Sequence, residues 1–154
     1  MNDYCRKKVL QKIAECDASL GVVVMEKARV KPDLRKDPTI LYNWSVVHNI
    51  MLSLIPQITA GNKILLTFDK SLPMWKINKF NSYATDKTKY LLNEQGNNFS
   101  PDCISLDHMV SEREFCLQAD DAVAGAYFQK YEKQNGEYVK IIEHKVSFFK
   151  YLWK

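Results

Sequence analysis

The sequence predicts one α/β domain over residues 1–154, with three short, mainly parallel strands and about five helices. Apolar runs of strand length alternate along the chain with amphipathic segments of helix length, and this alternation is typical of parallel sheets joined by helical crossovers. Hydrophobic residues make up 46% and charged residues 26% of the chain, the balance of an ordinary globular protein. A length of 154 residues suits a single core.

The first third of the chain predicts a helix, a strand and a second helix. Apolar residues near helical spacing indicate a helix over Asp3–Cys16, and the β-branched run that follows indicates a strand at about residues 21–27. Asp37 and Pro38 have the form of a helix start, an N-cap acid followed by proline at the first helical position. This helix is expected to reach about Ile55.

The middle of the chain predicts two further strands with a helix between them. The run ILLTF indicates a strand at about residues 63–69, and CISL indicates another at about residues 102–107. Between them a helix is expected over Met74–Leu92, broken near Asn81. Downstream, Ser111 to Glu114 has the spacing of a capping box and predicts a helix start.

The last segment predicts two helices. The helix that opens at the capping box is expected to reach about Gln134, before the turn-forming pair Asn-Gly. Beyond that turn, apolar residues recur at helical spacing and favour a final amphipathic helix carrying Val139, Ile142, Val146, Phe149 and Leu152.

The cysteines and the apolar runs bear on the compartment. The four cysteines show no CxxC spacing, so we interpret them as reduced core thiols of a cytoplasmic protein. No secretory signal is recognisable at the N-terminus, and no apolar run approaches the roughly 18 residues of a membrane span. The residues concerned are Cys5, Cys16, Cys103 and Cys116.

Charge is distributed unevenly along the chain. The net charge of +4 is too small to indicate nucleic acid alone. Basic residues outnumber acidic ones nine to five over Met1–Lys36 and six to two over Lys63–Lys89, whereas six acids face one arginine over Asp102–Asp121. Such a pattern suits a protein that holds a cation while its flanks meet an anion. The alternative is a solvated, acidic start of a helix.

Two of the predicted strands end in an aspartate, Asp69 and Asp107. If the strands are parallel, both carboxylates emerge at the same end of the sheet, where α/β proteins usually place their sites. The alternative is that each aspartate serves only as a turn or cap residue. His108, beside Asp107, is either a proton carrier for such a site or a surface residue.

A third carboxylate interrupts an apolar stripe on the helix after Ser111. Asp121 shares one helical face with Leu117 and Phe128, where a carboxylate needs a hydrogen-bonding partner, a counter-charge or a cation. The other register places Asp120 with Val123, so the sequence leaves open which acid points inward. The ordinary alternatives are a buried lysine partner or a role as the cap of another element.

Together these acids predict a divalent-cation site. Mg²⁺ and Mn²⁺ take oxygen ligands, and such ions assist the hydrolysis of phosphodiesters. The predicted catalytic residues are Asp69, Asp107 and Asp121, and the predicted metal ligands are the same three with Asp120. A basic rim would contact phosphates without regard to sequence. Its predicted members are Lys63, Lys70, Lys76 and Lys79.

The segment LQADDAVAGA resembles a known signature, Leu-Gln-Leu-Ala-Asp-x-x-Ala-Gly-Ala, of the domain of unknown function 3800 family in the RNase H-like superfamily. In this alignment Asp121 is the signature aspartate, and Asp120 stands where the family has alanine. ILLTFDKS, ISLDHMVSERE and the opening RKKVLQKIAECDASLGVVVMEK resemble further parts of the family, so the resemblance covers nearly all of the chain. It implies an RNase H-like fold and a metal-dependent nuclease.

The sequence departs from the family at its N-terminus. Family members begin with a strand carrying Tyr/Phe-x-Asp-Glu-Ser-Gly, whose aspartate supplies the first metal ligand, and this motif is absent here. We therefore expect an RNase H-like domain that lacks its first strand. Its remaining strands would pair with one another, with a second copy in a homodimer, or with a partner chain.

The missing motif leaves a second hypothesis open. The chain is then a catalytically inactive interaction or structural module that associates through exposed sheet edges. Its aromatic C-terminus would contribute through Phe148, Phe149, Tyr151 and Trp153.

Overall fold

The computed structural model describes residues 2–51, 53–54, 62–70, 72–96, 100 and 103–152, without the side chains of residues 34 and 38. These residues form a mixed α/β structure with small parallel sheets, which confirms the predicted class. Two compact units are distinguished. Unit 1 comprises Met1–Met25 with Ser111–Leu152, and unit 2 comprises Glu26–Val110. The prediction of a single domain stays a prediction.

Helices and strands alternate along the chain. The helices are α1 (Asp3–Glu15), α2 (Pro32–Arg35), α3 (Pro38–Ser45), α4 (Met74–Glu94), α5 (Phe115–Glu132) and α6 (Glu137–Ile142). The strands are β1 (Leu20–Met25), β2 (Ile64–Asp69), β3 (Ile104–Met109) and β4 (Val146–Leu152). A π-helical segment, Val46–Met51, follows α3 directly. The three predicted strands correspond to β1, β2 and β3.

Unit 1 is a two-stranded parallel sheet packed against helices. β1 pairs with β4 from Leu20 opposite Val146 to Met25 opposite Leu152, with a register shift after Leu20. One side chain, Tyr127 of α5, stacks on Phe149 of β4 at 6.0 Å between ring centroids. The buried core residues are Leu10, Ile13, Val22, Ala122, Val123, Ala126, Tyr127, Tyr138, Val139 and Ile142.

In unit 2, β2 pairs with β3 in parallel, without a register shift, from Ile64 opposite Ile104 to Asp69 opposite Met109. Its inner face carries Leu66, Phe68, Ile104 and Leu106, which pack on a core of Val46, Val47, Met51, Phe80 and Ala84. The predicted start of α3 is confirmed, because the Asp37 carboxylate accepts a hydrogen bond of 2.8 Å from the Thr39 N–H.

The predicted final helix is wrong beyond Ile142. α6 ends there, and Val146–Leu152 forms β4 instead. The segment VSFFKYL is rich in β-branched and aromatic residues, which suit a pleated surface, and its backbone groups bond to β1. This segment is therefore a strand because it pairs with the distant β1, although its apolar residues also fit helical spacing.

Two predicted helix boundaries also need correction. α4 is continuous through Asn81, whose side-chain oxygen lies 2.8 Å from His108 Nε2. The helix start predicted at Ser111 is also wrong, because a 3₁₀ turn occupies Ser111–Arg113 and α5 begins only at Phe115. The Gln118 amide instead donates to the carbonyl oxygen of Ser111 at 3.0 Å, and so ties the preceding 3₁₀ turn to the helix.

The prediction of core cysteines is wrong for three of the four. Cys5, Cys16 and Cys116 are exposed, whereas Cys103 is partly buried and packs against the core at Leu92. All four are free thiols. α1 buries Leu10 and Ile13 instead, and this leaves its cysteine on the outward side. Among the described helices, none has the length and apolarity needed to cross a bilayer.

The link between α1 and α6 predicts a pH-dependent stability. The Tyr138 hydroxyl donates to the Asp3 carboxylate, and this bond, with the nearby Lys7, lowers the pKa of Asp3 from its ordinary 3.8. A lowered pKa gives stability that is present above the ordinary value and is lost as the pH falls through the folded one. Tyr138→Phe should therefore destabilise the protein at neutral pH, and much less at an acid pH at which the Asp3 carboxyl is protonated.

Urea unfolding at the two pH values measures this difference. Tyr4→Phe on α1 is the matched control, because Tyr4 is 65% exposed and its hydroxyl makes no hydrogen bond among the described residues. An equal loss of stability for Tyr138→Phe at both pH values would contradict the assignment to Asp3.

Candidate functional site

Two aspartates, Asp69 at the end of β2 and Asp107 two residues before the end of β3, lie on one face of the sheet of unit 2. In the observed register Thr67 is opposite Asp107, and Asp69 is opposite Met109. Since side chains alternate along a strand, Asp69 and Asp107 share the face that does not carry Phe68. They are two register positions apart at the carboxyl end of the sheet, and both are exposed. The predicted strand end at Asp69 is confirmed, whereas the one at Asp107 is wrong because β3 continues to Met109.

Both carboxylates have neighbours within unit 2. Asp107 accepts a hydrogen bond of 2.8 Å from the backbone N–H of His108. Burial raises the pKa of the Tyr42 phenol, and the negative charge of Asp69 raises that pKa further. The phenol of α3 therefore lies within electrostatic reach of the carboxylate that ends β2.

His108 occupies the opposite face of the sheet from Asp107. Its ring stacks on Phe68 at 5.4 Å between centroids and meets Phe80 edge-on at 5.9 Å. Burial lowers the pKa of His108, and the charge of Asp107 opposes that shift. The ring is therefore largely neutral near pH 7. The ring belongs to the aromatic cluster on the inner face of the sheet. It is therefore neither a proton carrier beside Asp107 nor a surface residue, the two positions expected from the sequence.

In unit 1, neither Asp120 nor Asp121 points into the core. The buried side of α5 consists of Leu117, Ala122, Val123, Ala126 and Tyr127. Both aspartates are exposed, and Phe128, which shares the face of Asp121, is 54% exposed. The predicted buried stripe through Asp121 is therefore wrong, except at Leu117. Although Asp120 is exposed by its surface area, partial shielding of its carboxyl from water raises its pKa, and the charge of Asp121 raises it further.

The predicted cation ligands are divided between the two units. Asp69 and Asp107 belong to unit 2, while Asp120 and Asp121 belong to unit 1. Within the described part of either unit, no group of three or more histidine, cysteine or acidic side chains is placed to hold a metal ion. Of the predicted ligands, Asp69 and Asp107 are the two that share one face of a sheet, two register positions apart.

The four predicted phosphate contacts all lie in unit 2. Lys63, Lys70 and Lys79 are exposed, and Lys76 is partly buried. The backbone N–H of Lys70 donates to the Met109 carbonyl at 2.8 Å, which fixes this residue at the carboxyl end of the sheet directly after Asp69. The roles of the lysines in binding stay predictions.

Trp75, at the start of α4, is not among the residues predicted from the sequence. Its side chain is 58% exposed, and the ammonium groups of Lys76 and Lys79 lie 5.5 and 5.2 Å from its ring centroid. The pattern Trp-Lys-x-x-Lys at the beginning of a predicted helix is the signal that could have identified it. An exposed aromatic ring flanked by lysines is a recurring feature of nucleic-acid-binding surfaces.

Comparison with known proteins gives no relative from which a role could be taken. No family model, curated protein or solved structure matches the chain. The residues described above are therefore the basis for a function.

Proposed function

We propose that this chain is an RNase H-like domain, akin to the domain of unknown function 3800 family, that acts on nucleic acid with Mg²⁺ or Mn²⁺ bound at Asp69 and Asp107. The observation that supports this most is the position of the two carboxylates on one face at the carboxyl end of paired parallel strands. Hard divalent cations prefer oxygen ligands of this kind.

Two carboxylates are as many protein ligands as a Mg²⁺ ion usually takes. Mg²⁺ is usually bound by one or two carboxylates and keeps several waters or substrate phosphate oxygens in its remaining positions. Asp107 already accepts a backbone hydrogen bond through one oxygen, which orients its carboxylate and leaves the second oxygen for a ligand.

The chemistry divides between the ion and the protein. A bound divalent ion would activate water and stabilise the leaving oxygen of a phosphodiester. Asp69 and Asp107 would hold that ion at the sheet end, and Lys70 would contact the phosphate backbone beside it. Contacts of this kind give binding that is independent of sequence and weakens with salt.

Calorimetric titration with Mn²⁺ tests the cation site. We expect binding by the wild type, and a strong loss of affinity in Asp69→Asn and in Asp107→Asn, because each removes a charged ligand. Asp33→Asn is the matched control, an exposed acid of α2 that pairs with Lys36 at 2.8 Å. The same titration of Asp120→Asn and Asp121→Asn decides whether either acid contributes.

Cleavage of labelled DNA and RNA, single- and double-stranded, tests the activity. Hydrolysis should require Mn²⁺ or Mg²⁺ and should stop when a chelator is added. It should also be lost in Asp69→Asn and in Asp107→Asn. Wild-type protein that binds no Mn²⁺ at millimolar concentration would refute the proposal.

A second candidate, the inactive module that associates through sheet edges, is supported by the strand pairing. Each described strand bonds to one neighbour, so its other edge has no strand beside it in the described part of the chain. Isolated two-stranded sheets are marginal, and open edges favour further pairing. Phe148, Phe149 and Tyr151 lie on one such strand, β4; Trp153 is outside the described residues.

Light scattering on a size-exclusion column distinguishes this candidate. Phe149 is 45% exposed. A homodimer in the wild type that dissociates in Phe149→Lys would support association through β4. A monomer at all concentrations would contradict self-association.

A further inference from the structure

The start of α4 presents an aromatic surface outward. Trp75 is 58% exposed and Met74 is 59% exposed, while Ile77, Phe80 and Ala84 of the same helix are buried. The buried side anchors the helix in unit 2, so the spacing along α4 holds the indole on the solvent side. A large exposed ring in a well-anchored helix is a rigid platform.

Two lysines flank this platform. The ammonium groups of Lys76 and Lys79 lie within the range of ~6 Å in which a cation interacts with a ring face. Lys76 also donates to the Thr39 hydroxyl at 3.2 Å, so its position is fixed from α3. Both cations therefore lie within one helical turn of the indole.

The charge around the indole is predominantly positive. Met74–Thr85 contains no acidic residue, and the first acid of the helix, Asp86, is about 16 Å further along the axis from Trp75. Asp37 lies near Lys76, but its carboxylate caps α3 by accepting a hydrogen bond from the Thr39 N–H. This bond is the main cause of the lowered pKa of Asp37, and the charge of Lys76 is a smaller one. Among the described residues, no carboxylate pairs with Lys79.

We infer that this surface, formed by Trp75, Lys76 and Lys79, binds single-stranded nucleic acid, with the indole stacked on a base and the lysines on phosphates. This deepens the proposed function and rests on it for the assignment of substrate class. A nucleotide combines one planar apolar face with one anion, and the surface offers the complement of both. A base that covers the indole displaces the ammonium group of Lys76 or Lys79 from the ring face. The displaced ammonium group then contacts the adjacent phosphate.

A single strand fits this surface better than a duplex does. In a duplex the base faces are stacked on one another and are not available to an indole. A single strand offers both its bases and its backbone, and stacking on aromatic side chains tolerates any sequence. The binding should therefore be insensitive to sequence and sensitive to salt.

Fluorescence anisotropy of a labelled oligothymidylate, measured in EDTA at low salt, tests the inference. Trp75→Ala should weaken binding by roughly 5- to 150-fold, the range found when a stacking aromatic is removed. Trp75→Phe should retain most of the affinity. Lys76→Gln and Lys79→Gln should each lower the slope of log affinity against log salt by about 0.7.

The chain offers a matched control on α1. Tyr4 is 65% exposed, and the Lys8 ammonium lies 5.0 Å from its ring centroid. Tyr4→Ala and Lys8→Gln remove an equivalent aromatic and lysine pair from unit 1 and should leave the affinity unchanged. Far-UV circular dichroism should show that all variants are folded.

Three results would overturn the inference: unchanged binding by Trp75→Ala, equal affinity for duplex and single strand, or the same loss in the Tyr4 and Lys8 variants. Oligothymidylate should also quench tryptophan fluorescence in the wild type but not in Trp75→Phe. Because EDTA removes divalent cations, binding that persists there without Mn²⁺-dependent hydrolysis would refute the proposed catalytic function alone.

Discussion

Replacing Phe80 with alanine is expected to destabilise unit 2 by about 3–5 kcal/mol, the usual cost of emptying a buried aromatic site. Phe80 is 1% exposed. Its ring meets Phe68 of β2 edge-on at 5.0 Å, and it also contacts the rings of His108 and Tyr42. The substitution would leave a cavity under the sheet, where α4 and the two strands meet.

Hydrogen exchange measures this loss locally, because amides of β2 and β3 should exchange faster as the free energy of opening falls. Tyr90→Ala is the control on the same helix, since Tyr90 is 53% exposed and should change stability by no more than about 0.5 kcal/mol. A loss below 1 kcal/mol in Phe80→Ala would show that the aromatic cluster does not support the sheet.

The Phe80 cluster also supports the proposed cation site. Phe68 directly precedes Asp69, and His108 directly follows Asp107. The packing of these two rings on Phe80 therefore fixes the position of the backbone that carries both carboxylates. A conservative variant, Phe80→Leu, keeps most of the volume and should preserve Mn²⁺ affinity better than Phe80→Ala.

In unit 1, Leu10→Ala should cost about 2–5 kcal/mol, because Leu10 is fully buried and its removal leaves a cavity between α1 and the core. The residues of this unit contain no tryptophan, so exchange at the amides of β1 and β4 is the suitable measurement. Tyr4→Ala, on the exposed side of the same helix, should have little effect. Equal exchange in both variants would contradict the assigned core.

Local signals in the sequence were sufficient for much of the fold. Asp37 followed by Pro38 marked the start of α3, and apolar runs marked β1, β2 and β3, since these features depend on neighbouring residues alone. The alternation of strands and helices predicted parallel pairing. It therefore also predicted that Asp69 and Asp107 would meet at one end of a sheet.

Features that depend on distant partners were not predictable. Val146–Leu152 fits helical spacing as well as strand composition, and only its pairing with β1 decides between them. The buried side of α5 likewise follows from what packs on it. The face of Asp121 has no close packing at Gly125, where an added Cβ would meet none of the described residues within 4 Å.

The pairing of β1 with β4 joins segments from opposite ends of the sequence, whereas unit 2 is one continuous stretch. During synthesis on the ribosome the stretch Glu26–Val110 is complete while β4 has not yet been made. α1 and β1 must then remain without their partner strand until translation of Val146–Leu152. α1 and β1 thus gain their native neighbours only after the whole of unit 2 has been made, and this order exposes them to chaperones during that interval.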